Sequence, residues 1–102
     1  MLEDRLMQTL IDFGITPGTK GFRYILYATL NFDPDMSAMD MYKMVGERYN
    51  ATPSNVERAM RHAFSKMDFK SAEIQEFFGK KFTTIGYVSI LAWKCMARMP
   101  WG

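Results

Sequence analysis

Cysteine and histidine are scarce in this sequence, which contains one of each, Cys95 and His62. A lone cysteine forms no internal disulfide, and one cysteine with one histidine is too few for a typical zinc site. The sequence also shows no acid–base constellation on a recognisable loop and no glycine motif that cradles phosphate. We therefore predict no enzyme activity, no metal and no cofactor, and we expect Cys95 to be a small buried hydrophobe.

Long hydrophobic runs are missing as well. The longest uncharged run, from Phe82 to Trp93, has twelve residues and contains two threonines and a serine, whereas a membrane span needs about 20 apolar residues. Acidic Glu3 and Asp4 lie where a secretory signal would need a basic start. We expect a cytoplasmic protein with no membrane association, and the 102 residues fit one domain.

Net charge is only +2, but the basic side chains are concentrated in the second half of the chain. Residues 1–52 carry five basic and seven acidic side chains, whereas residues 53–102 carry eight basic and four acidic ones. An electropositive half is typical of a protein that binds a polyanion. From position 80 onward the basic residues either extend a phosphate-facing surface or are ordinary solvated side chains; they are Lys80, Lys81, Lys94 and Arg98.

Apolar residues recur at helical spacing in six segments, which predicts an all-α, six-helix domain. The predicted helices cover residues 2–13, about 22–31, about 37–49, about 53–67, about 72–78 and about 84–98. Residues 15–21 are predicted to form a turn, because Gly14 ends the first helix and proline and glycine follow it. Gly46 falls on the apolar face of the third helix, where a small residue would let the fourth helix cross closely.

The helix predicted over about 53–67 has two chemically different faces, because each residue advances by about 100°. Its apolar face collects Val56, Ala59, Met60, Ala63, Phe64 and Met67, and its polar face collects Asn55, Arg58, Arg61, His62 and Ser65. Either Thr52 caps this helix with Pro53 at its first position, or Ser54 and Glu57 form a capping box. With the short turn after the third helix, the pattern predicts a helix-turn-helix whose second helix faces a polyanion.

Several blocks of the sequence resemble one family of DNA-binding domains. They are Tyr49–Ser54, Val56–Ala59 and Arg61–Ala63 around the turn and fourth helix, Asp12–Pro17 and Lys20–Tyr24 near the start, and Ile74–Gly79. These residues closely resemble the DNA-binding effector domain of the stage-zero sporulation response regulators, over nearly the whole chain up to Phe82. The resemblance implies an all-α domain of a bacterial transcription regulator, whose fourth helix enters the major groove of double-stranded DNA, often with domains in tandem.

The resemblance also implies which residues meet DNA. Arg58 and Arg61 match the family's base-reading arginines, and Ser54 and His62 match positions at the DNA surface. Asn55 stands where the family commonly has a basic residue, and the loop before the sixth helix is a few residues shorter. The phosphoacceptor receiver domain that normally precedes this domain is not part of the 102 residues. We expect either an excised fragment or a stand-alone regulator without the phosphorylation switch.

The side-chain chemistry supports the same interpretation. An arginine donates two hydrogen bonds to O6 and N7 of guanine, and residues three apart on a helix are neighbours. Glu57 either orients Arg61 or accepts a hydrogen bond from cytosine, and we favour orientation. His62 contacts phosphate or base, or is merely solvated. The predicted DNA contacts are Ser54, Asn55, Arg58, Arg61, His62, Ser65 and Lys66, with Lys43 and Arg48 as further phosphate contacts.

A rival interpretation is a protein-interaction adaptor that keeps the fold without specific DNA binding. It would dock a partner through exposed methionines and aromatic residues such as Met44, Trp93, Met99 and Trp101. A single DNA-binding module of this kind buries only about 600 to 1,000 Å². A regulator is therefore expected to need a second copy on an adjacent box, or a partner such as RNA polymerase.

Overall fold

The computed structural model describes residues 2–96, and six α-helices account for most of them. The helices are α1 (Leu2–Asp12), α2 (Lys20–Leu30), α3 (Ala38–Tyr49), α4 (Pro53–Phe64), α5 (Ala72–Phe78) and α6 (Thr84–Met96). No strand occurs among the described residues, and the predicted all-α fold is confirmed. None of these six helices is long and apolar enough to cross a membrane. The predicted last turn of the sixth helix, up to Arg98, lies outside the described residues.

Hydroxyl side chains precede five of the six helices. The side-chain oxygens of Thr19, Ser37, Thr52, Ser71 and Thr83 each accept a hydrogen bond from the amide three residues ahead. Ser37 also forms a capping box with Asp40, and hydrogen bonds from the Ser37 backbone and side chain lower the pKa of the Asp40 carboxyl. Because capping satisfies otherwise unpaired amides, these short polar residues fix where each helix starts.

The predicted start of the second helix is wrong. We expected a turn over 15–21, but α2 begins at Lys20, because the Thr19 hydroxyl accepts the Phe22 amide at 3.2 Å. Gly21 is therefore a helical residue, and it lies directly against α4. A Cβ added to Gly21 would lie 2.6 Å from the carbonyl oxygen of Ala59, so only glycine permits this close helix crossing.

Gly46 has a different role from the one predicted. A Cβ added there would collide with the carbonyl oxygen of Ala51, in the turn that follows α3. The Ala51 amide donates to the Gly46 carbonyl oxygen at 2.9 Å, and Asn50 between them adopts a left-handed φ of 55°. The lack of a side chain at Gly46 thus makes room for the turn after α3. The close contact with α4 occurs at Gly21 of α2 instead.

The predicted end of the fourth helix is also wrong. α4 ends at Phe64 rather than near residue 67. The amides of Lys66 and Met67 donate at 3.1 Å to carbonyl oxygens three residues back, so the chain tightens from an α-helix into a turn. Met67 is buried in this turn, as predicted. Ser65 and Lys66, however, lie beyond the end of α4.

The core forms around α2, which contacts α1, α3, α4 and α6. The buried residues of α4 are Val56, Met60, Ala63 and Phe64, which confirms most of the predicted apolar face. Cys95 is buried as predicted, and this burial raises the pKa of its thiol. Met41 of α3 is also fully buried. The core therefore holds α4 by one side only.

Candidate nucleic-acid interface

α3 and α4 form a helix-turn-helix joined by residues 50–52. Asn50 takes the left-handed conformation, which asparagine tolerates better than most residues. The Thr52 hydroxyl then accepts the Asn55 amide at 3.1 Å, and Pro53 is the first helical residue. Of the two helix starts that the sequence left open, the structure shows the Thr52 cap.

The side of α4 that faces away from the core is polar and exposed. Its exposed residues are Ser54, Asn55, Arg58, Arg61 and His62. On the opposite side Val56 and Met60 have no exposed surface. Asn55, Arg58 and His62 line one groove, whereas Arg61 lies beside Glu57. The exposed side therefore has two edges with different neighbours.

Two of the predicted contact residues lie beyond the end of α4. Ser65 is the C-terminal cap, and its hydroxyl donates to the carbonyl oxygen of His62. Lys66 is exposed in the following turn and lines a groove with Lys20 and His62. The structure thus brings Lys66 near the exposed side of the helix through a turn rather than through helical spacing.

We call the side of α4 that carries Glu57 and Arg61 the α3 edge. Arg61 Nε lies 3.0 Å from Glu57 Oε1, in the only ion pair found among residues 2–96. The two side chains are 65% and 35% exposed, and an exposed pair one helical turn apart contributes about 0.3 to 0.5 kcal/mol. The pair agrees with the interpretation that Glu57 orients the guanidinium of Arg61.

Tyr42 of α3 supports the same edge. Burial raises the pKa of the Tyr42 phenol, while a hydrogen bond with Thr84 acts in the opposite direction. The nearby charge of Glu57 raises this pKa further and that of Arg61 lowers it. The phenol thus lies near both the ion pair and Thr84, the first residue of α6. Tyr42 was not among the contact residues predicted from the sequence.

The opposite side of α4, which we call the α2 edge, is basic. A groove of about 560 Å³ runs between α2, the 50–52 turn and α4. Lys20, Arg23 and Arg58 line it together with His62, and no carboxylate does. Sequence analysis missed Lys20 and Arg23, because the contact at Gly21 that brings α2 to α4 joins distant parts of the chain. Their spacing of three residues was the available signal.

Two arginines lie against the ring of Tyr49 at the end of α3. The guanidinium carbons of Arg48 and Arg23 lie 5.1 Å and 6.0 Å from the ring centroid, and Arg48 also lies 5.9 Å from the centroid of Tyr27. An arginine stacked on a ring keeps its N–H donors for other partners. Arg48, predicted as a phosphate contact, is exposed, and so is Lys43.

Between positions 80 and 96, the three lysines lie against different neighbours. Lys94 Nζ donates to the carbonyl oxygen of Phe77 and lies 4.9 Å from its ring centroid, so it is held against α5. Lys80 lies over the ring of Phe82. Lys81 lines a groove that also includes Arg61, so it borders the α3 edge. Arg98 lies outside the described residues.

The described residues offer no evident metal centre. Within 2–96, no three histidine, cysteine, aspartate or glutamate side chains gather in a way that could hold a metal ion. The polar side chains that line the groove beside α4 include two arginines, one lysine, two asparagines and one histidine. Cations and amides of this kind donate hydrogen bonds to phosphates and to the edges of bases.

Comparison with known families gives an independent finding. The profile of the family described as "Sporulation initiation factor Spo0A C terminal" matches residues 6–86. The match runs from α1 into the first turn of α6, and it includes the helix-turn-helix and both edges of α4. It agrees with the six-helix architecture and with the resemblance seen in the sequence. The chain therefore belongs to the Spo0A C-terminal family, whose members are DNA-binding effector domains of sporulation regulators.

Proposed function

We propose that this chain is a sequence-specific transcription regulator that inserts α4 into the major groove of DNA. One observation carries the proposal: Arg58 and Arg61 lie exposed on one side of α4, while Val56 and Met60 anchor its other side in the core. The major groove is about 12 Å wide and admits an α-helix. Family membership supports DNA binding in general, and the two arginines would supply the preference for particular bases.

Each arginine would donate two parallel hydrogen bonds to O6 and N7 of a guanine. The ion pair with Glu57 is formed through Nε of Arg61, so both terminal amino groups are left to donate to a base. Arg58 forms no ion pair with any carboxylate among residues 2–96. Arg61 would therefore contact its base while its guanidinium is paired with Glu57, whereas Arg58 would contact its base without an ion pair.

The remaining predicted residues would position the helix on the DNA. Ser54 and Asn55 lie in the first turn of α4, where unpaired amides and a partial positive charge favour a phosphate. His62, Ser65 and Lys66 lie at the other end, and His62 and Lys66 would reach phosphates there. Such contacts strengthen binding to any sequence, whereas base contacts create preference.

A second copy on an adjacent box, or contact with RNA polymerase, would complete the regulator. A module of this size buries about 600 to 1,000 Å² on DNA, which supports only weak binding by one copy. Footprinting on a single isolated box tests this requirement. Full occupancy of that box by one monomer at nanomolar concentration and physiological salt would show that no second copy or partner is needed.

Selection of bound duplexes from a random pool, followed by binding assays, tests the proposed specificity. The preferred box and a scrambled duplex would be titrated with the wild type, Arg58→Ala and Arg61→Ala. Each substitution is expected to reduce the preference for the box by about 5- to 150-fold, since a bidentate contact discriminates by about 1 to 3 kcal/mol. Arg5→Ala, exposed on α1, is the matched control and should keep the preference.

Two results would contradict the proposed specificity. The first is a selection that enriches no sequence, and the second is a preference that survives removal of both arginines. Either result would favour the adaptor, for which Trp93 on α6, 46% exposed, is the supporting observation. Of the other adaptor residues, Met44 is only partly exposed, and Met99 and Trp101 lie outside the described residues.

A further inference from the structure

We propose that Lys20 and Arg23 on α2 form a second DNA-binding site, which takes the phosphodiester backbone along the α2 edge of the recognition helix. The inference rests on the proposed function and extends it to a helix outside the helix-turn-helix. Neither residue was among the contacts predicted from the sequence. The ligand of this site is the phosphate group itself, without regard to base sequence.

Gly21 brings both side chains to the recognition helix. A Cβ on Gly21 would lie 2.6 Å from the Ala59 carbonyl oxygen and 2.7 Å from the Ala63 Cβ, so the backbone of α2 lies directly against α4 at this point. Lys20 and Arg23 flank this contact in the first turn of α2, and both are exposed. Their position beside α4 is therefore fixed by backbone packing rather than by a flexible loop.

The charge of the surface suits phosphate. Lys20 and Arg23 share a groove of about 560 Å³ with Arg58 and His62. Lys20 and His62 also line the neighbouring groove, which contains Lys66, so the two grooves share these two side chains. Neither groove has a carboxylate among its lining residues. A strip of cations with no counter-charge attracts a polyanion and releases the counterions that the polyanion carries.

Arg23 is supported in a way that leaves it available to a ligand. Its guanidinium carbon lies 6.0 Å from the ring centroid of Tyr49, and that ring in turn lies 5.3 Å from the ring of Tyr24. Among residues 2–96, Arg23 forms no ion pair. Aromatic support restricts the side chain without consuming its N–H donors, which favours contact with phosphate oxygens.

The location matches what a helix in the major groove would need. The phosphates of the two strands border the groove, so a helix lying in it has one strand along each side. The α3 edge carries Glu57, whose charge offsets that of Arg61. At the α2 edge no carboxylate lines the groove, so the charges of Lys20, Arg23 and Arg58 are not offset. We therefore infer that one strand is held mainly through α2, while α4 reads the bases.

The test is the double substitution Lys20→Gln with Arg23→Gln, which removes both charges and keeps long side chains. Binding to a short mixed-sequence duplex and to the selected box would be measured between about 0.05 and 0.2 M salt. We expect affinity for both duplexes to fall by the same factor, of roughly tenfold or more, and the salt slope to decrease by about two. The preference ratio between the duplexes should stay unchanged.

The matched control is Arg5→Gln with Lys80→Gln, which makes the same change in net charge at exposed residues outside both grooves. It should change the slope little, and Lys20→Arg should retain wild-type binding. The inference is overturned if the α2 variant keeps the wild-type slope, or if the control weakens binding equally. Failure of the proposed function looks different: no box is preferred, yet the slope on the mixed duplex still reports the phosphate site. A wild type that binds neither duplex overturns both.

Discussion

The two edges of α4 arrange their charges in opposite ways. At the α3 edge Arg61 is paired with Glu57 at 3.0 Å, next to the half-buried Tyr42. At the α2 edge Lys20, Arg23 and Arg58 share a groove that no carboxylate lines. An arginine paired with a carboxylate is held in one direction and attracts phosphate less, whereas cations with no carboxylate beside them attract phosphate more strongly. We infer that the α3 edge contributes orientation and the α2 edge contributes affinity.

Different backbone contacts build the two edges. The α2 edge depends on the crossing of α2 and α4 at Gly21, and the turn that carries α4 away from α3 depends on Gly46. In both places a carbonyl oxygen of another segment occupies the space of a Cβ. Substitutions can therefore damage one edge while the charges of the other remain in place.

The largest expected effect is that of Gly21→Ala, which separates α2 from α4. Since the added Cβ would meet the Ala59 carbonyl oxygen at 2.6 Å, the helices must move apart, at a cost of about 2 to 3 kcal/mol. Urea unfolding followed by circular dichroism measures the loss. In Gly86→Ala the nearest atoms belong to the side chains of Phe82 and Thr83, so this control should change stability by less than about 1 kcal/mol. If Gly21→Ala and the wild type unfolded at the same urea concentration, the close crossing of α2 and α4 would be refuted.

A smaller effect is expected from Glu57→Gln, which releases Arg61 at the α3 edge. Loss of the ion pair should reduce the preference for the selected box about twofold, as expected for an exposed pair. Removal of a negative charge should at the same time strengthen binding to a mixed-sequence duplex. Glu73→Gln on α5 is the control and should change neither quantity. If preference and general affinity fell together in Glu57→Gln, the assignment of orientation to this edge would be wrong.

The smallest effect concerns Asp40, which caps the helix that carries Tyr42. Hydrogen bonds from Ser37 lower the Asp40 pKa from its ordinary value of 3.8. A lowered pKa in the folded state gives stability above the unfolded-state pKa, and this stability is lost as pH falls through the folded-state value. The wild type should therefore exceed Asp40→Asn in stability near about pH 5, and the difference should disappear near about pH 2.

Thermal unfolding across this pH range measures the effect of Asp40→Asn. Asp35→Asn, in the loop before α3, is the control and should follow the wild-type pH dependence. A difference between the wild type and Asp40→Asn that stays constant from neutral to acidic pH would show that the carboxylate does not support α3.

Local signals in the sequence were enough to predict most of the fold. The Thr52 cap was one of two starts that the sequence left open, and the bounds predicted as about 72–78 agree with α5; each depends on the conformation of one or two residues. The exposed side of α4 follows from periodicity, because its other side must be buried. The Glu57–Arg61 pair also follows from spacing along one helix.

Contacts between distant segments were the part that the sequence could not supply. The sequence does not show which segment packs against a glycine. At Gly46 it is the turn after α3, and at Gly21 it is α4. Lys20 and Arg23 gain their place beside α4 only through that crossing, so their own helix gave no reason to choose them. The early end of α4 has a local cause: hydrogen bonds between residues three apart form a turn that buries Met67, as a continued helix would also have done.

Replacement of single guanines in the selected box by 7-deazaguanine tests most directly whether Arg58 and Arg61 read base edges. The modified base lacks the N7 acceptor that a bidentate arginine uses. We predict that one replacement weakens binding of the wild type but not of Arg58→Ala, and that a different replacement weakens binding of the wild type but not of Arg61→Ala. If every replacement costs both variants as much as it costs the wild type, neither arginine contacts guanine N7.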